Sequence, residues 1–128
     1  MFVGLTLFNN LAAQNNAARY EIDAKRMGVN YYDKDALPRS REFLRLDSTY
    51  YVVWFYEGMY KFERAADYPG YKNCIAPIRK AFSTFEKNYK NNIKEIFTPG
   101  GYTMPQVDAI QMCNALSDSY SNIDQPDA

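Results

Sequence analysis

Seven apolar side chains, Ile75, Ile78, Phe82, Phe85, Tyr89, Ile93 and Ile96, follow one another at spacings of three or four residues. A helix turns once in about 3.6 residues, so this spacing draws one apolar stripe along a helical face, where a half-buried strand would alternate every second residue. A stripe of that length has to be buried against other elements. Asn73 is its expected cap, and Pro77 then falls in the first turn, where amide hydrogens have few helical partners.

The rest of the chain supplies helices to bury it. Ala17, Tyr20, Ala24 and Met27 recur at three and four residues before Gly28, a C-terminal stop. Turn residues fill Gly28 to Pro38, and a short helix is expected through Phe43, Leu44 and Leu46. Asp47, Ser48 and Thr49 offer capping oxygens to the run Tyr50 to Tyr56, whose β-branched and aromatic content alone would suit a buried strand. Helix is favoured because the apolar face continues through Met59, Phe62, Ala65 and Ala66 past Gly58, too far for a strand, with Pro69 and Gly70 as its end. Thr98 to Gly101 form a loop, and Thr103 with Pro105 opens a last helix through Val107, Ile110, Met112, Leu116 and Tyr120. The expectation is an all-α fold of about five helices.

Charge and chemistry narrow the function classes. Fifteen basic side chains balance fifteen acidic ones, so no net field draws nucleic acid or anionic lipid. The chain has no His, the commonest general base and metal ligand, and its two cysteines, Cys74 and Cys113, form no CxxC pair. No metal site, cofactor or catalytic residue is therefore expected, and no pair among Asp47, Glu57, Glu63 and Asp67 is placed for acid–base work. The apolar run Phe2 to Phe8, followed by Ala12 and Ala13, reads as the remnant of an export signal over residues 1–14, or as an N-terminal helical segment packed on a domain of residues 15–128. No stretch reaches the length of a membrane span.

The segment Leu46-Asp47-Ser48-Thr49-Tyr50-Tyr51-Val52-Val53-Trp54-Phe55-Tyr56-Glu57-Gly58 resembles the join between two tetratricopeptide repeats. In that family a Leu-Asp pair closes one repeat, and the next opens with Trp and, four residues on, Gly. Shifting back one family period of about 34 residues carries Trp54 and Gly58 onto Tyr20 and Ala24, with Ala36 further on. Cys74, Ile78 and Ala81 show the small, bulky, small spacing of the second helix. The interval from Gly58 to Cys74 exceeds the family's, implying a longer loop around Tyr68 to Tyr71, and Ser40 and Phe43 depart from the expected sizes. A third unit is suggested by Cys113, Leu116, Ser117 and Tyr120, with residues 122–128 as the loop before a further helix.

The resemblance implies antiparallel hairpins stacked as a right-handed superhelix. Tyr20, Ala24, Trp54, Gly58, Ile78 and Ala81 would then lie in helix contacts, with Trp54 buried. It also implies a concave groove lined by Glu21 and Lys25, by Phe55, Met59 and Phe62, and by Asn114 and Asp118. On the bland reading Glu21 and Lys25 are an i,i+4 pair, Asn114 and Asp118 are solvated, and the three apolar residues are core. In an exported protein Cys74 and Cys113, on consecutive units, are candidates for a disulfide; two thiols are the alternative. The implied function is a non-enzymatic scaffold binding a peptide or a neighbouring subunit. A second hypothesis, from a different class, is a sugar-binding domain of a cell-surface nutrient system, which would need exposed rings.

Overall fold

The computed structural model describes residues 16–89 and 104–124, and every element among them is a helix. We label them α1 (16–26), α2 (Ala36–Leu46), α3 (Tyr51–Glu63), α4 (Tyr68–Tyr89) and α5 (Met104–Ile123). They pack as a stack of helical hairpins, as the periodicity required. Ile93, Ile96, the Pro-Gly-Gly loop and the apolar run at the start of the chain lie outside the described residues.

The α3–α4 hairpin is the centre of the stack. Tyr51 meets Phe85 at 5.0 Å between ring centroids and Phe62 meets Tyr71 at 6.3 Å, so the pairing steps in opposite directions along the two helices. Gly58 sits between these contacts. A Cβ there would lie 2.5 Å from Ile78 Cγ1 and 3.0 Å from the Ile78 amide nitrogen, so the close approach expected of Gly58 is real. Cys74, Ile78 and Ala81 are buried beside it, joined in one core by Ala36, Phe43, Val52, Phe55, Met59, Met112 and Ala115. Burying a side chain such as Ile, Phe or Met is worth about 1.5–3 kcal/mol.

Several boundaries differ from the sequence expectation. α3 ends at Glu63, and α4 begins at Tyr68, earlier than the expected cap at Asn73. Asp67, Pro69 and Gly70 are a start signal: Asp67 Oδ1 accepts the Gly70 amide at 2.9 Å, and Pro69 lies in the first turn, where its missing N–H costs nothing. The extra residues before Cys74 are thus helix, not loop. Pro77 consequently lies inside α4, where it removes the amide that would bond the Asn73 carbonyl.

α3 also starts differently. Its N-cap residue, Tyr50, makes no side-chain capping bond, and Asp47 instead closes its own turn by accepting the Thr49 amide at 2.9 Å. The Tyr51 amide is taken by Asn88 of α4, whose Oδ1 accepts it at 3.0 Å while its Nδ2 donates to the Thr49 carbonyl at 3.0 Å. Trp54, expected in the core, is half-buried, with Lys80 Nζ 3.7 Å from the centre of its ring.

The outer helices depart furthest. On α1 the apolar stripe is turned outward: Ala17, Tyr20, Ala24 and the following Met27 are exposed, so Tyr20 and Ala24 are not in helix contacts. The inward stripe is Arg19, Ile22, Asp23 and Arg26, in which Ile22 and Arg26 are buried. On α5, Pro105, Asp108, Met112, Ala115 and Ser119 are buried at spacings of three and four, while Ile110 and Tyr120 face solvent. In both helices charged side chains take core positions because partners on other helices receive them.

Candidate functional site

The inward face of α1 lies along α3 and reaches α5, and its two arginines enter built pockets. Arg26 donates from Nη1 and Nη2 to the two carboxylate oxygens of Asp108, each at 2.8 Å, a bidentate pair across 82 residues of sequence. Both side chains are buried. Tyr51 adds a hydroxyl donated to Asp108 Oδ2 at 2.5 Å. The guanidinium carbon lies 5.5 Å from the ring centres of Phe55 and Tyr56, within cation–π range. The Tyr56 hydroxyl donates to the carbonyls of Arg26 and Val29 at 3.0 and 2.7 Å, fixing the end of α1.

The second pocket lies seven residues back along the same helix. Arg19 Nε donates to Asp47 Oδ2 at 3.1 Å, Nη2 donates to Thr49 Oγ1 at 3.3 Å, and the guanidinium lies 5.3 Å from the Tyr50 ring centre. Between the pockets Ile22 is fully buried, and Asp23 accepts the Tyr50 hydroxyl at 2.8 Å. Each arginine is therefore held by a carboxylate in its plane and an aromatic face, the arrangement that distinguishes guanidinium from ammonium.

Burial sets the protonation behaviour of this centre. It works against the charge of Arg26, but the adjoining Asp108 carboxylate and their hydrogen bonds hold the guanidinium pKa well above its ordinary value. Burial, reinforced by the Asp108 charge, pushes Tyr51 well up, and burial with the Asp23 charge does the same to Tyr50. The Asp23 carboxyl is raised by burial, which outweighs its hydrogen bond from Tyr50.

The residues expected to line a groove are dispersed by this arrangement. Phe55 and Met59 are buried, with Tyr31 packed on Phe55 at 5.6 Å and Arg26 over the same ring, so α1 and the segment after it cover Phe55. Phe62 is half-buried against Tyr71. Lys25 turns to α2, pairing with Glu42 as well as with Glu21. Asn114 and Asp118 are exposed on α5. Cys74 and Cys113 are free thiols: Cys74 is buried with its sulfur 3.2 Å from Ser119 Oγ, and Cys113 is exposed on another face of α5, which corrects the disulfide expectation.

Sequence reasoning missed Arg19, Arg26, Asp108 and the pocket roles of Asp47 and Tyr51. A signal existed. Asp108 interrupts an otherwise small and apolar stripe on α5, and Arg19-x-x-Ile22-x-x-x-Arg26 is a helical stripe of charged ends and an aliphatic middle. Among the described residues no group of His, Cys, Asp and Glu could hold a metal ion, and no helix is long and apolar enough to cross a membrane. In comparisons with family models, with curated proteins and with solved structures, nothing matches this chain.

Proposed function

We propose that this chain is a scaffold of the tetratricopeptide kind that binds other proteins. The observation that carries the reading is an outward-facing set of apolar side chains on the first and the last of the described helices. α1 presents Tyr20 and Ala24 and is followed by Met27, 75% exposed, and α5 presents Ile110 and Tyr120, with Ile110 49% exposed. Helical-repeat stacks bury such faces against the next helix, from the same or another protein. Export to the cell envelope belongs to the same proposal and rests on the apolar run Phe2 to Phe8.

The sugar-binding reading has one observation in its favour: Tyr32 and Tyr68 are exposed, and Tyr60 lines a shallow depression with Lys61, Arg64, Gly70 and Asn73. Cations already occupy the ring faces, with Arg64 3.7 Å from the centre of Tyr60 and Lys72 5.9 Å from that of Tyr68. Tyr50, Tyr51 and Tyr56 are buried. Both points favour the scaffold.

A photo-crosslinking amino acid placed in turn at Met27, Ile110 and the exposed α4 residue Ser83, in cells that make the protein, tests the proposal. Discrete protein adducts are expected from Met27 or Ile110 and none from Ser83. Absence of adducts at both outer positions, or adducts equally at all three, would overturn it.

A further inference from the structure

α1 is attached to the remainder by an unusual surface. Of its described side chains only Ile22 is both apolar and fully buried; the other anchors are Arg19 to Asp47, Asp23 to Tyr50, Lys25 to Glu42 and Arg26 to Asp108. Its opposite face is exposed. One amphipathic helix laid by a single stripe into a groove of fixed side chains is how helical peptide ligands bind, with anchors at i, i+3 and i+7.

The walls of the groove come from elements other than α1, although the Tyr50 and Tyr56 hydroxyls on them are partnered by α1 itself. Those elements are the α2–α3 turn (Asp47, Thr49), α3 (Tyr51, Phe55, Tyr56) and α5 (Asp108), and the Tyr51 hydroxyl orients the Asp108 carboxylate. The fit of the occupant is incomplete. Arg26 is more than nine-tenths buried, yet its Nε has no hydrogen-bond partner.

We infer that the groove from Asp47 to Asp108 is a helix-docking site that α1 fills as an exchangeable occupant, and that its partner is an amphipathic helix carrying arginines at i and i+7 around an aliphatic residue at i+3. This goes beyond the end faces of the scaffold proposal and does not depend on them. The buried Asp108 dictates the mode of exchange. A buried carboxylate stripped of its cation is strongly destabilising, so α1 does not leave an empty groove; an incoming helix must bring its own guanidinium. Arginine rather than lysine is required, because two parallel hydrogen bonds and a stacked plane are what the pocket offers.

The probe is a fluorescent peptide of residues 16–28, titrated by anisotropy into the full chain, wild type and Ile22→Ala. Ile22→Ala loosens α1 and leaves the groove intact, so the peptide should bind that variant about tenfold more tightly than wild type, a difference of about 1.4 kcal/mol. A peptide with Lys in place of Arg26, or the added substitution Asp108→Asn in the chain, should weaken binding. Equal affinity for wild type and Ile22→Ala, or indifference to Asp108→Asn, overturns the inference. Hydrogen exchange on the wild-type chain keeps the test open should Ile22→Ala unfold it: α1 amides should exchange faster than those of α3 and α4. Exchange of α1 at the rate of α3 would equally overturn it. End-face crosslinks from Met27 or Ile110 report the scaffold proposal separately.

Discussion

Two interfaces of α3 are made of different materials. Toward α4 it offers Gly58, against which Ile78 packs at the limit of contact, with rings on either side. Toward α1 it offers Tyr51, Phe55 and Tyr56, with Tyr50 just before its first turn, and this side receives two arginines. The first interface is held by shape and water exclusion, which hardly respond to salt. The second is held by directional, charge-assisted bonds, which fix register and tolerate no loss of a partner. One helix can thus have a permanent neighbour and a conditional one.

The sharpest break between the interfaces comes from Asp108→Ala, which strands Arg26 in a buried site and should cost about 3–5 kcal/mol in chemical denaturation. Adding Arg26→Met should recover most of that loss, since a buried pair replaced by apolar groups is often neutral. No recovery would mean that the pair holds α1 by more than its own compensation. On the other side Ile78→Ala should cost about 2–5 kcal/mol through a cavity, by the same amount in low and high salt. A salt-dependent loss there would dissolve the distinction.

Gly58→Ala should cost about 1–3 kcal/mol, because the new methyl group meets both a side chain and a backbone nitrogen of α4. Unchanged stability would show that the helices separate freely. Alkali should select the polar interface. Tyr50, Tyr51 and Tyr56 have pKa values raised in the fold, chiefly by burial. Unfolded phenols ionise near pH 10 while these keep their protons, so stability is complete below about pH 10 and is lost above it, on the order of 1 kcal/mol per pH unit for each phenol. Unfolding should coincide with the rise of tyrosinate absorbance; ionisation of these phenols in a still folded chain would contradict the burial. The smallest effect belongs to Lys25→Gln, at a half-buried pair with Glu42 near the surface, which should lower stability slightly in low salt and less in high salt.

The hairpin was legible in the sequence because its determinants are local in kind: a glycine where two helices touch and small residues facing it. The α1 face was not. Periodicity identifies a stripe of Ala17, Tyr20, Ala24 and Met27, but a stripe is buried only if something covers it, and the competing stripe is charged. Arg26 becomes a core residue through Asp108, 82 positions away, and no window along the chain shows that. The start of α4 was misread for another reason. Asp67, Pro69 and Gly70 punctuate either the end of one helix or the beginning of the next, and Asp67 Oδ1 on the Gly70 amide decides for the beginning. Phe55 and Met59 were expected to line an open groove and are instead core; what lay over Phe55, Arg26 and Tyr31, was not visible in the sequence.

The Asn88 amide that completes the first turn of α3 couples the order of assembly to the whole hairpin. The Tyr51 amide finds its acceptor 37 residues later, near the far end of α4, so this cap on α3 is made only once that far end has folded back. Closing so long a segment costs chain entropy before any contact returns it, and the turn and both helices then form as one cooperative unit. During synthesis, the cap of α3 waits for Asn88.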